Sequence, residues 1–158
     1  MAEEYIIVKS SDDKSIDIIF RILRKCGYNL AKKGLFHWIP SYSRRAIKKD
    51  CETKTVVLVH DDEIQEYTST FQMYINKEGN LYVRKIATLP QFEGRGIGGR
   101  NLRYMEDFAH QKGCKKICLD VYSRSKGAIG FYRHQDFVEI GEKRSIRFKE
   151  LIMEKRLP

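Results

Sequence analysis

The sequence PQFEGRGIGG (residues 90–99) contains four glycines within six positions, immediately before a run with helical periodicity. Glycine in a helix interior costs about 1 kcal/mol relative to alanine, so a cluster at this place needs a physical reason. Glycines let backbone amides approach a ligand that a Cβ would block, and amides at a helix N-terminus favour anionic groups. The segment therefore predicts a phosphate-binding loop that leads into a helix.

Hydrophobic periodicity predicts the element order β-α-α-β-β-β-α-β-α-β-β, an antiparallel meander that feeds one βαβ crossover. We expect strands at 5–9, 55–61, 67–76, 80–90 and 115–123, with two more within 138–145 and 147–157. We expect helices from Ser15, over 44–50, from Ile97 and over 126–137, with Gly27 and Gly34 as alternative ends of the first.

Length and composition narrow the class of protein. A chain of 158 residues is expected to form one domain, 1–158, and no stretch is apolar enough for a membrane span. The first ten residues lack a secretory pattern, so we expect a cytoplasmic protein and no membrane partner. The four cysteines form no C-x-x-C pair and the four histidines are scattered, so we expect no metal.

Two familiar phosphate-binding motifs match the glycine cluster only in part. Gly94-x-Gly96-x-x-Gly99 has the spacing of a dinucleotide fingerprint, but residues 90–93 separate it from the preceding strand. The spacing from Gly94 to Gly99 also fits a P-loop, but Arg100 and Asn101 stand where Lys and Ser or Thr are required.

A third interpretation fits the local motif and the element order together. A strand, a proline, an aromatic residue and a glycine-rich loop entering a helix resemble the core of the GNAT superfamily of N-acetyltransferases. The later segment SKGAIGFYRHQDF (125–137) is similar to that family's second motif, Asn-x-x-Ala-x-x-Φ-Tyr-x-x-x-Gly-Phe, with Ser125 in place of Asn and Asp136 in place of Gly. The resemblance implies an α/β fold with a mixed, mostly antiparallel sheet of about seven strands flanked by about four helices.

The resemblance also implies acetyl-CoA as cosubstrate and assigns the residues that bind it. With the loop motif placed on Glu93-x-x-Gly96-x-Gly98, the backbone of Glu93, Gly94, Arg95, Gly96, Ile97 and Gly98 would hold the pyrophosphate. The backbone of Ile86, Ala87 and Thr88 would pair with the pantetheine arm, and Ser125 would contact the cofactor. Tyr132 matches the family tyrosine that protonates the departing CoA thiolate, and a phenol pKa above that of a thiol suits this role.

The resemblance also implies that the acceptor amine lies against the loop between the first two helices, here the aromatic segment 35–42, where His37, Trp38 and Tyr42 are candidate binding residues. The acceptor would be a small-molecule or peptide amine; neither its identity nor the general base follows from the sequence. The formal net charge of +9 leaves one alternative, a non-catalytic module that binds RNA or an acidic partner. The intact glycine loop and Tyr132 argue against it, so we do not expect a nucleic-acid partner. The chain is expected to be a monomer or homodimer.

Overall fold

The computed structural model describes residues 3–158. Its elements follow in the order β1 (Glu3–Ile7), α1 (Asp13–Lys32), α2 (Arg44–Thr53), β2 (Thr55–Asp61), β3 (Glu66–Ile75), β4 (Leu81–Thr88), α3 (Ile97–Gln111), β5 (Lys116–Tyr122), α4 (Lys126–His134), β6 (Val138–Arg144) and β7 (Lys149–Arg156). A single 3₁₀ turn, Pro90–Phe92, lies between β4 and α3. The predicted element order is confirmed.

Within residues 3–158 the strands form one seven-stranded sheet in the order β1-β2-β3-β4-β5-β7-β6. The β1–β2, β2–β3, β5–β7 and β6–β7 pairs are antiparallel, while β4 and β5 are parallel. Parallel neighbours need a crossover, and α3 supplies it between β4 and β5. The predicted fold class, a mixed and mostly antiparallel sheet with four helices, is confirmed.

The chain divides into two compact units. The first comprises residues 1–73 and 85–98, of which 3–73 and 85–98 are described, and the second comprises 74–84 and 99–158. The core of the first unit is built from one face of α1, the inward residues of β2, the end of β4 and Ile47 of α2. Its members include Ile19, Leu23 and Leu58.

Helix α1 shows how local signals and packing combine. It begins after Asp12, whose carboxylate accepts a hydrogen bond from the Ser15 amide at 3.0 Å and so caps the first turn. The helix continues through Gly27 and ends before Gly34, which adopts φ +81°. Gly27 is therefore not the end of the helix; it lies where α1 packs closely against the loop 35–42, and a Cβ there would come within 3.2 Å of the Trp38 carbonyl oxygen.

In the second unit, β5 pairs on one side with β4 and on the other with β7. Leu81–Val83 are in register with Ile117–Leu119, and Leu119 lies opposite Met153. Leu81, Leu119 and Met153 are buried, so this face of the strands contributes to the core of the unit. No helix within residues 3–158 is long and apolar enough to cross a membrane.

Candidate functional site

The glycine-rich loop, Glu93–Gly98, is held at both ends by buried side chains. Phe92 and Ile97 belong to the core of the first unit, while residues 93–96 between them are exposed. Gly94 and Gly96 adopt φ +78° and +77°, a left-handed conformation that costs other residues about 1–2 kcal/mol. Helix α3 begins at Ile97, as predicted from its apolar period. The glycines are therefore required by the backbone path of the loop.

The electrostatics of this loop fit an anionic ligand. The first backbone amides of α3 have no acceptor within the helix, and the helix dipole adds about half a positive charge at this end. The Glu93 side chain is exposed, so its carboxylate need not lie over these amides. The Arg95 guanidinium lies 5.4 Å from the centre of the Phe92 ring. The donor set of the loop is thus suited to a diphosphate.

The second predicted binding segment, Ile86–Thr88, forms the end of β4 in the first unit. The parallel ladder with β5 joins Leu81–Val83 to Ile117–Leu119, so these last three residues of β4 follow it. Ala87 is buried, and the Thr88 carbonyl accepts a weak hydrogen bond from the Cys26 thiol at 3.3 Å. Burial raises the pKa of Cys26 to about 12, with a further contribution from Glu93, so this thiol stays protonated and donates.

Tyr132 and Ser125 lie on α4 in the second unit. Ser125 occupies the N-cap position and is buried, but its side chain makes no capping hydrogen bond. Tyr132 packs against two phenylalanines, Phe131 at 5.3 Å and Phe137 at 5.5 Å between ring centres. Burial raises the pKa of Tyr132, which keeps its phenol protonated well above neutral pH. Tyr132 is thus packed between aromatic rings with its phenol protonated at neutral pH.

Helix α4 ends in a motif that fixes the turn beyond Tyr132. The Phe137 amide donates to the Tyr132 carbonyl at 3.0 Å, and the Asp136 amide donates to the Arg133 carbonyl at 3.1 Å. These two bonds define a Schellman motif, whose left-handed residue is usually glycine. Asp136 occupies that position with φ +70°. Aspartate in place of the family's glycine at position 136 therefore makes the turn less favourable in energy but does not change its geometry.

The predicted acceptor loop, residues 35–42, is an aromatic segment of the first unit. The His37 and Trp38 rings are 6.0 Å apart, and Trp38 meets Tyr42 edge-on at 6.1 Å. Burial lowers the pKa of His37, which favours the neutral imidazole at neutral pH. The structure therefore brings the three candidate acceptor residues into one aromatic cluster.

Sequence reasoning did not identify Asp50. This α2 residue places its carboxylate 2.7 Å from the Lys85 ammonium of β4, and the Lys85 ammonium lies 3.9 Å from the centre of the Tyr42 ring. The residues of the pair are 35 positions apart, so no local spacing signals it. Two further titratable residues, His60 and Asp61, lie at the end of β2. His60 contacts Asp62, while Asp61 accepts from the Glu63 amide.

One group of side chains in the first unit has the composition of a metal site. Glu4, His60 and Asp62 place one potential ligand atom each within 4.8 Å of one another. Glu4 and His60 are paired across β1 and β2, and Glu4 and Asp62 are exposed. Exposed acidic groups commonly lie this close without an ion. The expectation of a metal-free protein remains a prediction.

Part of the chain is similar in sequence to an enzyme of known activity. The chain is 33% identical over 73 residues to the mouse thialysine N-epsilon-acetyltransferase, a match that covers 44% of this chain and 43% of that enzyme. The chain thus spans less than half the length of the curated relative it matches.

Solved structures share the fold over nearly the whole chain. The PaiA N-acetyltransferase of Thermoplasma acidophilum, solved with coenzyme A, has a TM-score of 0.79 at 17% identity and covers 99% of each chain. A spermidine N-acetyltransferase chimera made from the Vibrio cholerae SpeG and hSSAT has a TM-score of 0.76 at 15% identity, covering 99% of this chain and 96% of that one. Residues 17–137 match the acetyltransferase (GNAT) family, so the chain belongs to that family.

Proposed function

We propose that this protein is an N-acetyltransferase that transfers the acetyl group of acetyl-CoA to a primary amine. The observation that carries the proposal is the glycine-rich loop Glu93–Gly98, whose left-handed glycines lead directly into the N-terminus of α3. Family membership and the coenzyme A bound to the Thermoplasma acidophilum enzyme support the same cosubstrate. The chain would act as one domain.

The loop would bind the diphosphate of acetyl-CoA through its backbone. The amides of Gly94, Gly96 and Gly98 would donate to phosphate oxygens, with Glu93, Arg95 and Ile97 contributing backbone only. A hydrogen bond to a charged acceptor contributes roughly 1.5–3 kcal/mol, whereas the helix dipole contributes about 0.3–2 kcal/mol. Direct amide contacts would therefore dominate the affinity.

The remaining cofactor contacts would come from two further elements. The backbone of Ile86, Ala87 and Thr88 would pair with the amides of the pantetheine arm, as an added strand pairs with a sheet edge. Ser125 would contact the cofactor from the N-terminus of α4, where its hydroxyl is not used in capping.

Acetyl-CoA supplies an activated acyl group whose leaving group is a thiolate. As the amine nitrogen bonds to the acetyl carbon and the carbon–sulfur bond breaks, Tyr132 would donate its phenolic proton to the departing sulfur, and the proton that the amine loses would restore the phenol. The pKa of Tyr132 is raised by burial, so the phenol is in the protonated form that this role requires. Removal of the hydroxyl should therefore lower turnover more than cofactor affinity.

The acceptor would be a small-molecule or peptide amine bound against the aromatic loop that contains His37, Trp38 and Tyr42. The relatives named above act on thialysine and spermidine according to their names. These two amines, together with lysine and a short peptide with a free N-terminus, form a suitable first panel. We also propose that the protein is a monomer or a homodimer, and a measurement of its mass in solution tests this separately.

The test combines binding and turnover. Calorimetry with acetyl-CoA should give saturable one-site binding, and an assay of free thiol release should show amine-dependent CoA production with at least one acceptor. The alternative, an RNA-binding or acidic-partner module on this fold, predicts salt-dependent RNA binding without acetyl-CoA affinity. That result would refute the enzymatic proposal.

A further inference from the structure

A lysine side chain is buried in the first unit, where a charge is costly. The Lys85 side chain is 6% exposed and that of its partner Asp50 is 12% exposed. Removing a charge from water costs several kcal/mol unless it is paired and hydrogen-bonded. Here the Lys85 ammonium donates to the Asp50 carboxylate at 2.7 Å, so the two charges neutralise each other.

The Asp50 carboxylate is fixed by a further partner. The Gln72 side-chain amide donates to the same oxygen of Asp50 at 3.0 Å, and Gln72 is 1% exposed. The Lys54 ammonium lies 3.9 Å from the other oxygen. A carboxylate with three such neighbours has little freedom to rotate, so it defines one position for the Lys85 ammonium.

A buried ion pair of this kind is weak evidence for stability. Apolar residues of similar volume often replace such pairs with no loss of stability, whereas ion pairs can select one arrangement of the chain. The arrangement at Lys85 is unusual, because its backbone adopts φ +48° within a strand. From this position the Lys85 side chain reaches Asp50 of α2 and Tyr42 of the acceptor loop.

The ammonium of Lys85 also contacts the acceptor loop. It lies 3.9 Å from the centre of the Tyr42 ring, within range for a cation–π interaction. Tyr42 in turn meets the edge of Trp38 at 6.1 Å. On the other side of the loop, the Trp38 backbone rests against Gly27 of α1. The loop is thus held between α1 and the Lys85 side chain.

We infer that Lys85 is a positioning residue for the acceptor amine: anchored by Asp50, its ammonium holds Tyr42 and the acceptor loop beside the end of β4. This inference rests on the proposed function, because it assigns the loop to acceptor binding and Ile86–Thr88 to the cofactor. Lys85 directly precedes that cofactor segment in the chain. Its side chain therefore sets where the loop lies relative to the strand that would bind acetyl-CoA.

The first variant is Lys85→Met, which keeps the length of the side chain and removes its charge. The Michaelis constant for the best acceptor of the amine panel should rise about tenfold or more, a loss equivalent to one decade of affinity. The Michaelis constant for acetyl-CoA should change by less than about threefold, which is less than the expected change for the acceptor. Lys85→Arg, which keeps the charge, should restore part of the acceptor affinity.

Trp38 gives a second readout that needs no acceptor. It is the only tryptophan of the chain, so fluorescence excited at a wavelength that tyrosine does not absorb reports on the loop alone. Lys85→Met should increase quenching of Trp38 by acrylamide. The matched control is Lys48→Met on α2, which removes an exposed lysine that contacts Asp13 at 3.6 Å. This control should change neither the quenching nor the acceptor constant.

The outcomes test the inference about Lys85 and the proposed function separately. An active Lys85→Met protein with unchanged acceptor constant and unchanged quenching overturns the inference. Should this variant fail to fold, Asp50→Asn keeps the shape of the anchoring side chain and removes the charge that holds the Lys85 ammonium, and the same two readouts decide. A wild-type protein that acetylates no amine refutes the proposed function and the acceptor part of the inference, while the quenching comparison still decides whether Lys85 anchors the loop.

Discussion

Two glycines with the same backbone conformation allow the role of the glycine-rich loop to be separated from its stability. Gly94 in the loop and Gly79 in the β3–β4 turn both adopt φ +78°, and a Cβ added at either would meet nothing within 4 Å. Alanine at each position therefore introduces the same backbone strain without a clash. That strain is about 1–2 kcal/mol.

The two substitutions should differ in cofactor binding. Gly94→Ala should let the loop relax and displace its donating amides, and the loss of one amide contact to a phosphate is roughly 1.5–3 kcal/mol. At 1.4 kcal/mol per decade, this corresponds to an increase of about 10- to 150-fold in the dissociation constant of acetyl-CoA. Gly79→Ala should leave that constant unchanged.

Urea unfolding and calorimetry with acetyl-CoA measure the two quantities on the same preparations. We expect similar losses in the free energy of unfolding for both variants and a loss of affinity for Gly94→Ala alone. A dissociation constant of acetyl-CoA that is the same in Gly94→Ala as in the wild type would refute the assignment of the loop to the diphosphate. Equal weakening in both would show that the effect arises from stability.

Three further predictions concern single residues. Tyr132→Phe should lower kcat and leave acetyl-CoA affinity nearly unchanged; equal kcat in wild type and variant would remove Tyr132 from the mechanism. Asp136→Gly should raise the free energy of unfolding by about 0.5–1 kcal/mol, because glycine adopts φ +70° without strain; thermal melting checks this, and a lower Tm would contradict it. Asp12→Ala should cost about 1 kcal/mol at neutral pH through loss of the α1 cap. Since the hydrogen bond from Ser15 lowers the pKa of Asp12, this cost should be complete above pH 4 and diminish as the carboxylate becomes protonated below about pH 4; a cost independent of pH would contradict the capping role.

Features with strong local signals were predictable from the sequence. The β-branched run of β2 gave a strand at 55–61, and the structure has it at Thr55–Asp61. The start of α3 at Ile97 followed from the apolar period of the helix. These elements are determined by residues that are neighbours in the chain.

Features that depend on tertiary contacts were not predictable. Gly27 was one of two alternative ends of α1, but it lies inside the helix, where its missing side chain leaves room for the Trp38 backbone. The first strand was expected at 5–9 and lies at Glu3–Ile7, where its register with β2 places Glu3 opposite Asp61. The ion pair of Lys85 with Asp50 joins distant elements, and the positive φ of Lys85 has no sequence signal such as glycine or asparagine.

The central claim is that exposed backbone nitrogens at the entrance to α3 bind the diphosphate of acetyl-CoA. A crystal structure of the protein with coenzyme A tests it most directly. We predict phosphate oxygens about 2.9 Å from amide nitrogens within residues 94–98, the ordinary length of such a hydrogen bond. A diphosphate bound at any other part of the chain would contradict this account.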